Sequence, residues 1–98
     1  MSAEPQLTPV DVFAPWARDD ERALRLRLHR AQTIALRRAA QEGNGTARTL
    51  YYEAAALAAR WVFQRVEDNQ ALERILCALN QLFMACSHIV IVEGPDGE

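Results

Sequence analysis

The residues able to carry chemistry are few: Cys77, Cys86, His29, His88 and thirteen carboxylates in a chain of 98 residues. Metal ligation needs several of them at a spacing that brings them together. None of the four forms C-x-x-C, H-x-x-x-H or another recognised ligand pattern. Cys86 and His88 are two residues apart, and a helix turns such a pair about 160° from each other. Cys86 is therefore expected as a small core hydrophobe and His88 as a surface residue. Cys77 and Cys86 lie nine residues apart in one predicted helix, about 13.5 Å along its axis and on opposite faces. They cannot form a disulfide with each other, and reduced intracellular thiols follow as the expectation. The segment Gly43-Asn44-Gly45-Thr46 is too short for a phosphate loop and lacks a preceding strand and the Lys. No Ser/His/Asp or Cys/His set is suggested by position. The expectation is a protein without catalytic residues, metal or cofactor.

Charge is more informative by place than by sum. The net charge is −2 and the isoelectric point about 5.7. Arg22, Arg25, Arg27, Arg30, Arg37 and Arg38 fall in one stretch with no acid among them. Residues 67–98 hold Glu67, Asp68, Glu73, Glu93, Asp96 and Glu98 against Arg74 alone. All basic residues are Arg, which tolerates interfaces better than Lys, although codon bias in a GC-rich genome produces the same usage. On a helix, Arg27, Arg30, Arg37 and Arg38 span roughly 220–320° counted from Leu24, a compact basic patch. It has three readings: pairing with acids of the same fold such as Glu67, Asp68, Glu73 and Glu93, an acidic partner protein, or nucleic-acid phosphates. The low isoelectric point and the lack of a short recognition helix weigh against nucleic acid.

The elements that must position these residues read as helices. Residues 1–6 form a tail. Thr8, Pro9 and Asp11 have the N-cap, N1 and N3 pattern of a short helical turn, with Leu7 and Val12 as its staple. Pro15 ends that turn, and Val12, Phe13 and Trp16 are expected to fold back as a lid. A first long helix runs from about Trp16 or Asp19 to Gln41, with Asp19, Asp20 and Glu21 in its first turn. Leu24, Leu28, Ala31, Ala35 and Ala39 share its inner face, while Leu26, Ile34 and Leu36 point elsewhere, where they can meet a second neighbour. Gly43-Asn44-Gly45 turns the chain.

The second helix takes Thr46 as its N-cap and runs to about Val66. It is apolar nearly all round: Leu50, Ala54, Leu57 and Trp61 on one face, Tyr51, Ala55, Ala58, Val62 and Val66 on a second, and Tyr52, Ala59 and Phe63 on a third. A surface helix has one apolar stripe, so this one is expected to be covered on most sides. A chain this short has little to cover it with, and a partner chain is inferred. A continuous second and third helix is the alternative, because no Gly or Pro breaks residues 67–69. The third helix begins near Gln70. Leu72, Ile75, Leu79, Leu82, Cys86 and Ile89 form a stripe at steps of three and four, widened by Leu76, Phe83 and Val90. Residues 89–92 are β-branched but are expected as helix, since Gly94-Pro95 is an ordinary helix stop. On the opposite side Cys77, Met84 and Ile91 repeat every seven residues, a Met-containing apolar stripe. It packs either on Val12, Phe13 and Trp16 or on a partner.

The expected fold is all-α: a three-helix up-down-up bundle with a short N-terminal helical turn, completed by dimerisation as a C2 pair. Residues 7–93 form one domain between the 1–6 tail and a polar 94–98 tail. No secretory signal is read in the N-terminal residues, and the purely apolar runs are too short for the roughly 20 residues of a membrane span. The expected protein is a small cytoplasmic, non-enzymatic homodimer. It binds a larger protein and modulates or inhibits it, as adaptor, chaperone or inhibitor. The residues expected to do so are Tyr52, Trp61, Phe63, Cys77, Met84 and Ile91. The alternative is a dimeric nucleic-acid-associated regulator that uses Arg27, Arg30, Arg37 and Arg38.

Overall fold

In the computed structural model, residues 20–64 and 69–95 are described. They form three helices, α1 over Glu21–Gln41, α2 over Gly45–Val62 and α3 over Asn69–Glu93, and among the described residues there is no strand. The expected N-terminal turn at Thr8, the lid residues Val12, Phe13 and Trp16, and Asp19, Val66, Glu67 and Asp68 lie outside the described residues.

α1 begins at Glu21, two residues after the expected Asp19, because Asp20 is its cap. The Asp20 side chain accepts the Ala23 N–H at 2.8 Å, satisfying one of the free amides at a helix start. Glu21 then sits where the helix dipole favours an acid. The other end departs from the expected glycine stop. Among the described residues the only glycine at positive φ is Gly94, at 85°. α1 is ended instead by Glu42 in extended conformation. Its carboxylate accepts the Asn44 N–H at 3.1 Å, and its carbonyl accepts from Arg48 at 3.3 Å.

The cap of α2 is Asn44, not Thr46. The Asn44 side chain accepts the Ala47 N–H at 3.0 Å, and its amide nitrogen donates to the Gly94 carbonyl at 2.9 Å. Thr46 lies within the helix and is exposed. A contact from the far end of the chain decides between two acceptable caps. α2 also stops at Val62 rather than Val66, with Phe63 and Gln64 already out of helical geometry. The continuous α2–α3 helix is therefore not formed. α3 runs through residues 89–92 as helix and closes at Gly94, whose N–H donates to the Val90 carbonyl at 2.8 Å before Pro95. Left-handed geometry at that position suits a residue without Cβ.

Leu24, Leu28, Ala31, Ile34, Ala35 and Ala39 of α1 are buried against Ala47, Tyr51, Ala54, Ala55, Ala58 and Val62 of α2 and Leu72, Leu76, Leu79, Phe83 and Cys86 of α3. The alanines of α1 and α2 permit close approach of those two backbones, whereas α3 fills its share of the core with large side chains. The Tyr51 and Phe83 rings meet tilted at 58°, centroids 5.8 Å apart, within the distance at which aromatic pairs attract.

Purely apolar runs are short, yet α3 contains an 18-residue stretch of mean hydropathy 2.0, and by length and composition it could cross a membrane. Asn80, Gln81 and His88 interrupt the runs without lowering that average far. Only 22% of the stretch is buried, so much of its apolar surface faces outward.

Candidate interaction surface

Two polar side chains organise the ends of the bundle. Asn44 is fully buried at one end. Besides capping α2 it holds the last turn of α3, through the Gly94 carbonyl and, at 3.5 Å, the Glu93 carboxylate. Beside it the Cys86 thiol donates to the Ala47 carbonyl at 3.6 Å. Burial pushes this thiol up to about 11, with the Glu42 charge adding to the shift. At neutral pH it is a protonated, enclosed thiol, the opposite of a nucleophile.

At the other end Arg25 reaches across from α1. Its guanidinium donates to the carbonyls of Trp61 at 3.4 Å, Val62 at 2.7 Å and Gln64 at 2.6 Å, and it pairs with Glu21 at 2.8 Å. α2 ends without a glycine, and its last carbonyls take these donors instead. Sequence reasoning left Arg25 outside the compact patch but did not find this role. The available signal was a helix end with no stop residue facing a helix start rich in Arg. Asn44 was likewise read only as part of a turn.

The residues expected at an interface separate into covered and uncovered. Cys77, Met84 and Ile91 are all exposed, Met84 by 64% and Ile91 by 81%. With Gln81 and His88 between them, also exposed, they advance by steps of four, three, four and three. This is the spacing of a helix seam. On α2, Tyr52 is half-exposed and Phe63, just past the helix, is 90% exposed. Trp61 is half-buried and packs against the core with Leu50 and Leu57. Of the three apolar faces read on α2, the one bearing Tyr51, Ala55, Ala58 and Val62 is buried. On the Leu50/Ala54/Leu57/Trp61 face Ala54 is buried and the three large side chains are half-covered, and the Tyr52/Ala59/Phe63 face is open.

The four-arginine patch divides as well. Arg30 and Arg37 are exposed, while Arg27 and Arg38 are half-buried beside the core. Arg38 lies 3.5 Å from the Tyr51 hydroxyl. Leu26 and Leu36, also on the outside of α1, are 49% and 44% exposed. Cys86 is enclosed and His88 exposed, as their positions implied. Among the described residues no three His, Cys, Asp or Glu side chains gather as a metal site. The class these features define is an all-α helical bundle with uncovered apolar side chains on each helix. Comparison with protein-family models, curated proteins and solved structures finds no match.

Proposed function

We propose that this chain is a small, non-enzymatic cytoplasmic interaction protein that binds a larger protein and modulates or inhibits it, and that it does so as a homodimer. The observation that carries the reading is the exposure of Phe63, Met84 and Ile91, large apolar side chains left in water by a molecule that otherwise closes its core. Met84 and Ile91 lie on one stripe of α3 with Cys77, and a continuous exposed apolar stripe marks a contact surface; Met also adapts to varied partners. An up-down-up arrangement is supported by the ties at the two ends. Arg25 near the start of α1 meets the end of α2, and Asn44 before α2 meets the end of α3.

Dimerisation is tested by sedimentation equilibrium at micromolar concentration, where about twice the 11.0 kDa chain mass is expected. A clean monomer there removes the homodimer. Partner binding is tested by capture from the native cell with the wild type and with Met84→Asp/Ile91→Asp, followed by purified binding of whatever the wild type alone retains. Equal retention by both removes the apolar stripe from the function. Flotation of the wild type with lipid vesicles would assign the stripe to a membrane instead, given the hydropathy of α3.

A further inference from the structure

We infer that the solvent face of α1 is a docking seam for one acidic amphipathic helix of a partner protein. The inference rests on the protein-binding reading above and supplies the chemistry of what is bound. Along α1, Arg22, Leu26, His29, Thr33, Leu36 and Ala40 succeed one another by steps of four, three, four, three and four. That is the pattern by which one helix meets another. It runs on the side opposite Leu24, Leu28 and Ala31, which are buried. α1 thus has two seams, the inner one covered and the outer one open. On the outer one Leu26 and Leu36 are each a little under half exposed, and Arg22, His29 and Ala40 are exposed.

Arg30 and Arg37 follow His29 and Leu36 directly and flank the seam on one side. They are seven residues apart, about 10.5 Å along the axis. In paired helices the flanking positions select the partner by charge. The stretch from Arg22 to Gln41 contains no acid, and Glu21 is engaged by Arg25 at 2.8 Å. The flank is therefore uncompensated along α1. A second copy of α1 would set these arginines against one another. Beside the outer stripe of α3, with Cys77, Gln81, Met84, His88 and Ile91, the only acids are Glu73 and Glu93, about 30 Å apart along the helix, which does not match arginines seven residues apart. Charge complementarity instead selects a foreign helix with apolar residues on its seam and Glu or Asp beside it at seven-residue spacing. The interleaved leucines favour such a helix over nucleic acid, whose backbone is held by basic and polar groups without an apolar stripe. Two leucines are also too narrow an apolar face for a helix lying in a lipid surface.

The test uses two synthetic helices, each three heptads long, with leucine on the seam. One has glutamate and the other lysine at the flanking positions. Binding is read by fluorescence anisotropy for the wild type, Arg30→Glu/Arg37→Glu and Leu26→Ala/Leu36→Ala, each checked for folding by circular dichroism. The wild type should prefer the glutamate helix about tenfold, and charge reversal should invert that preference. The leucine variant should weaken the glutamate helix without changing the preference. Equal binding of both helices, no binding of either, or a glutamate preference that survives reversal overturns the inference. So does an arginine-dependent gel shift of duplex DNA near physiological salt, or arginine-dependent sedimentation with phosphatidylserine vesicles. If the seam fails while Met84→Asp/Ile91→Asp still abolishes binding of a captured protein, the protein-binding reading stands without it.

Discussion

The inward and outward stripes of α3 are built from similar residues and live in opposite environments. Inward are Leu72, Leu76, Leu79, Phe83 and Cys86, all buried. Outward are Cys77, Met84 and Ile91, all exposed. One cysteine is enclosed and the other open, on the same helix nine residues apart. The inward stripe is satisfied by α1 and α2, and its energetic role is complete within the chain. Among the described residues nothing covers the outward stripe, so an apolar residue there stands on different physical grounds. Residue type gives the capacity to be buried, and the neighbours decide whether that capacity is used.

The largest test of this contrast is a pair of truncations. Leu79→Ala, at a fully buried position, should cost about 2–5 kcal/mol in urea unfolding. Met84→Ala should stay within about 0.5 kcal/mol under conditions where the chain is monomeric. Comparable losses under those conditions would show that the outward stripe is covered within the fold. Asn44→Leu comes next. It removes the cap of α2 and strands the Gly94 carbonyl, and a loss of about 2–3 kcal/mol is expected from the same measurement. Arg25→Gln should cost less, roughly 1–2 kcal/mol, because its guanidinium is partly exposed and water can replace it at the α2 carbonyls. A loss matching Asn44→Leu would mean that both ends of the bundle depend equally on a single side chain.

The smallest effect separates the cysteines. Cys77 should be alkylated quickly by iodoacetamide in the folded protein and Cys86 only on unfolding. The Cys86 thiol ionises near 9.0 when unperturbed and near 11 in the fold. The folded state keeps its proton to higher pH. Its contribution is therefore fully present below pH 9 and is lost as pH rises toward 11. Cys86→Ala should abolish that part of the alkaline decline in thermal melts, whereas Cys77→Ala should leave it unchanged.

Much of this was legible in the residues, because helix periodicity is local. Leu24, Leu28, Ala31, Ala35 and Ala39 point inward as their spacing required, and so does the three-and-four stripe of α3. The end of α3 was readable from Gly94-Pro95. What escaped was whatever depends on distant contact. Asn44 and Thr46 are both good caps, and only the Gly94 carbonyl selects between them. α2 offers three apolar faces, and periodicity does not say which one α1 and α3 will take. Arg25 belongs to a basic run by composition and to the end of α2 by geometry. Of the candidate surface, the outward stripe of α3 was visible as a repeat, while Trp61 and the inner arginines needed the packing to be placed.

The bond from Asn44 to Gly94 joins residues fifty apart in the chain. Helix termini ordinarily fray independently, and their amides exchange with solvent through small local openings. Here one side chain serves the start of α2 and the last turn of α3 at once. To open either terminus the molecule must release the other, so the two segments breathe as a unit. The amides of the last turn of α3 should then exchange with deuterium at the pace of the first turn of α2, more slowly than the terminus of a free helix.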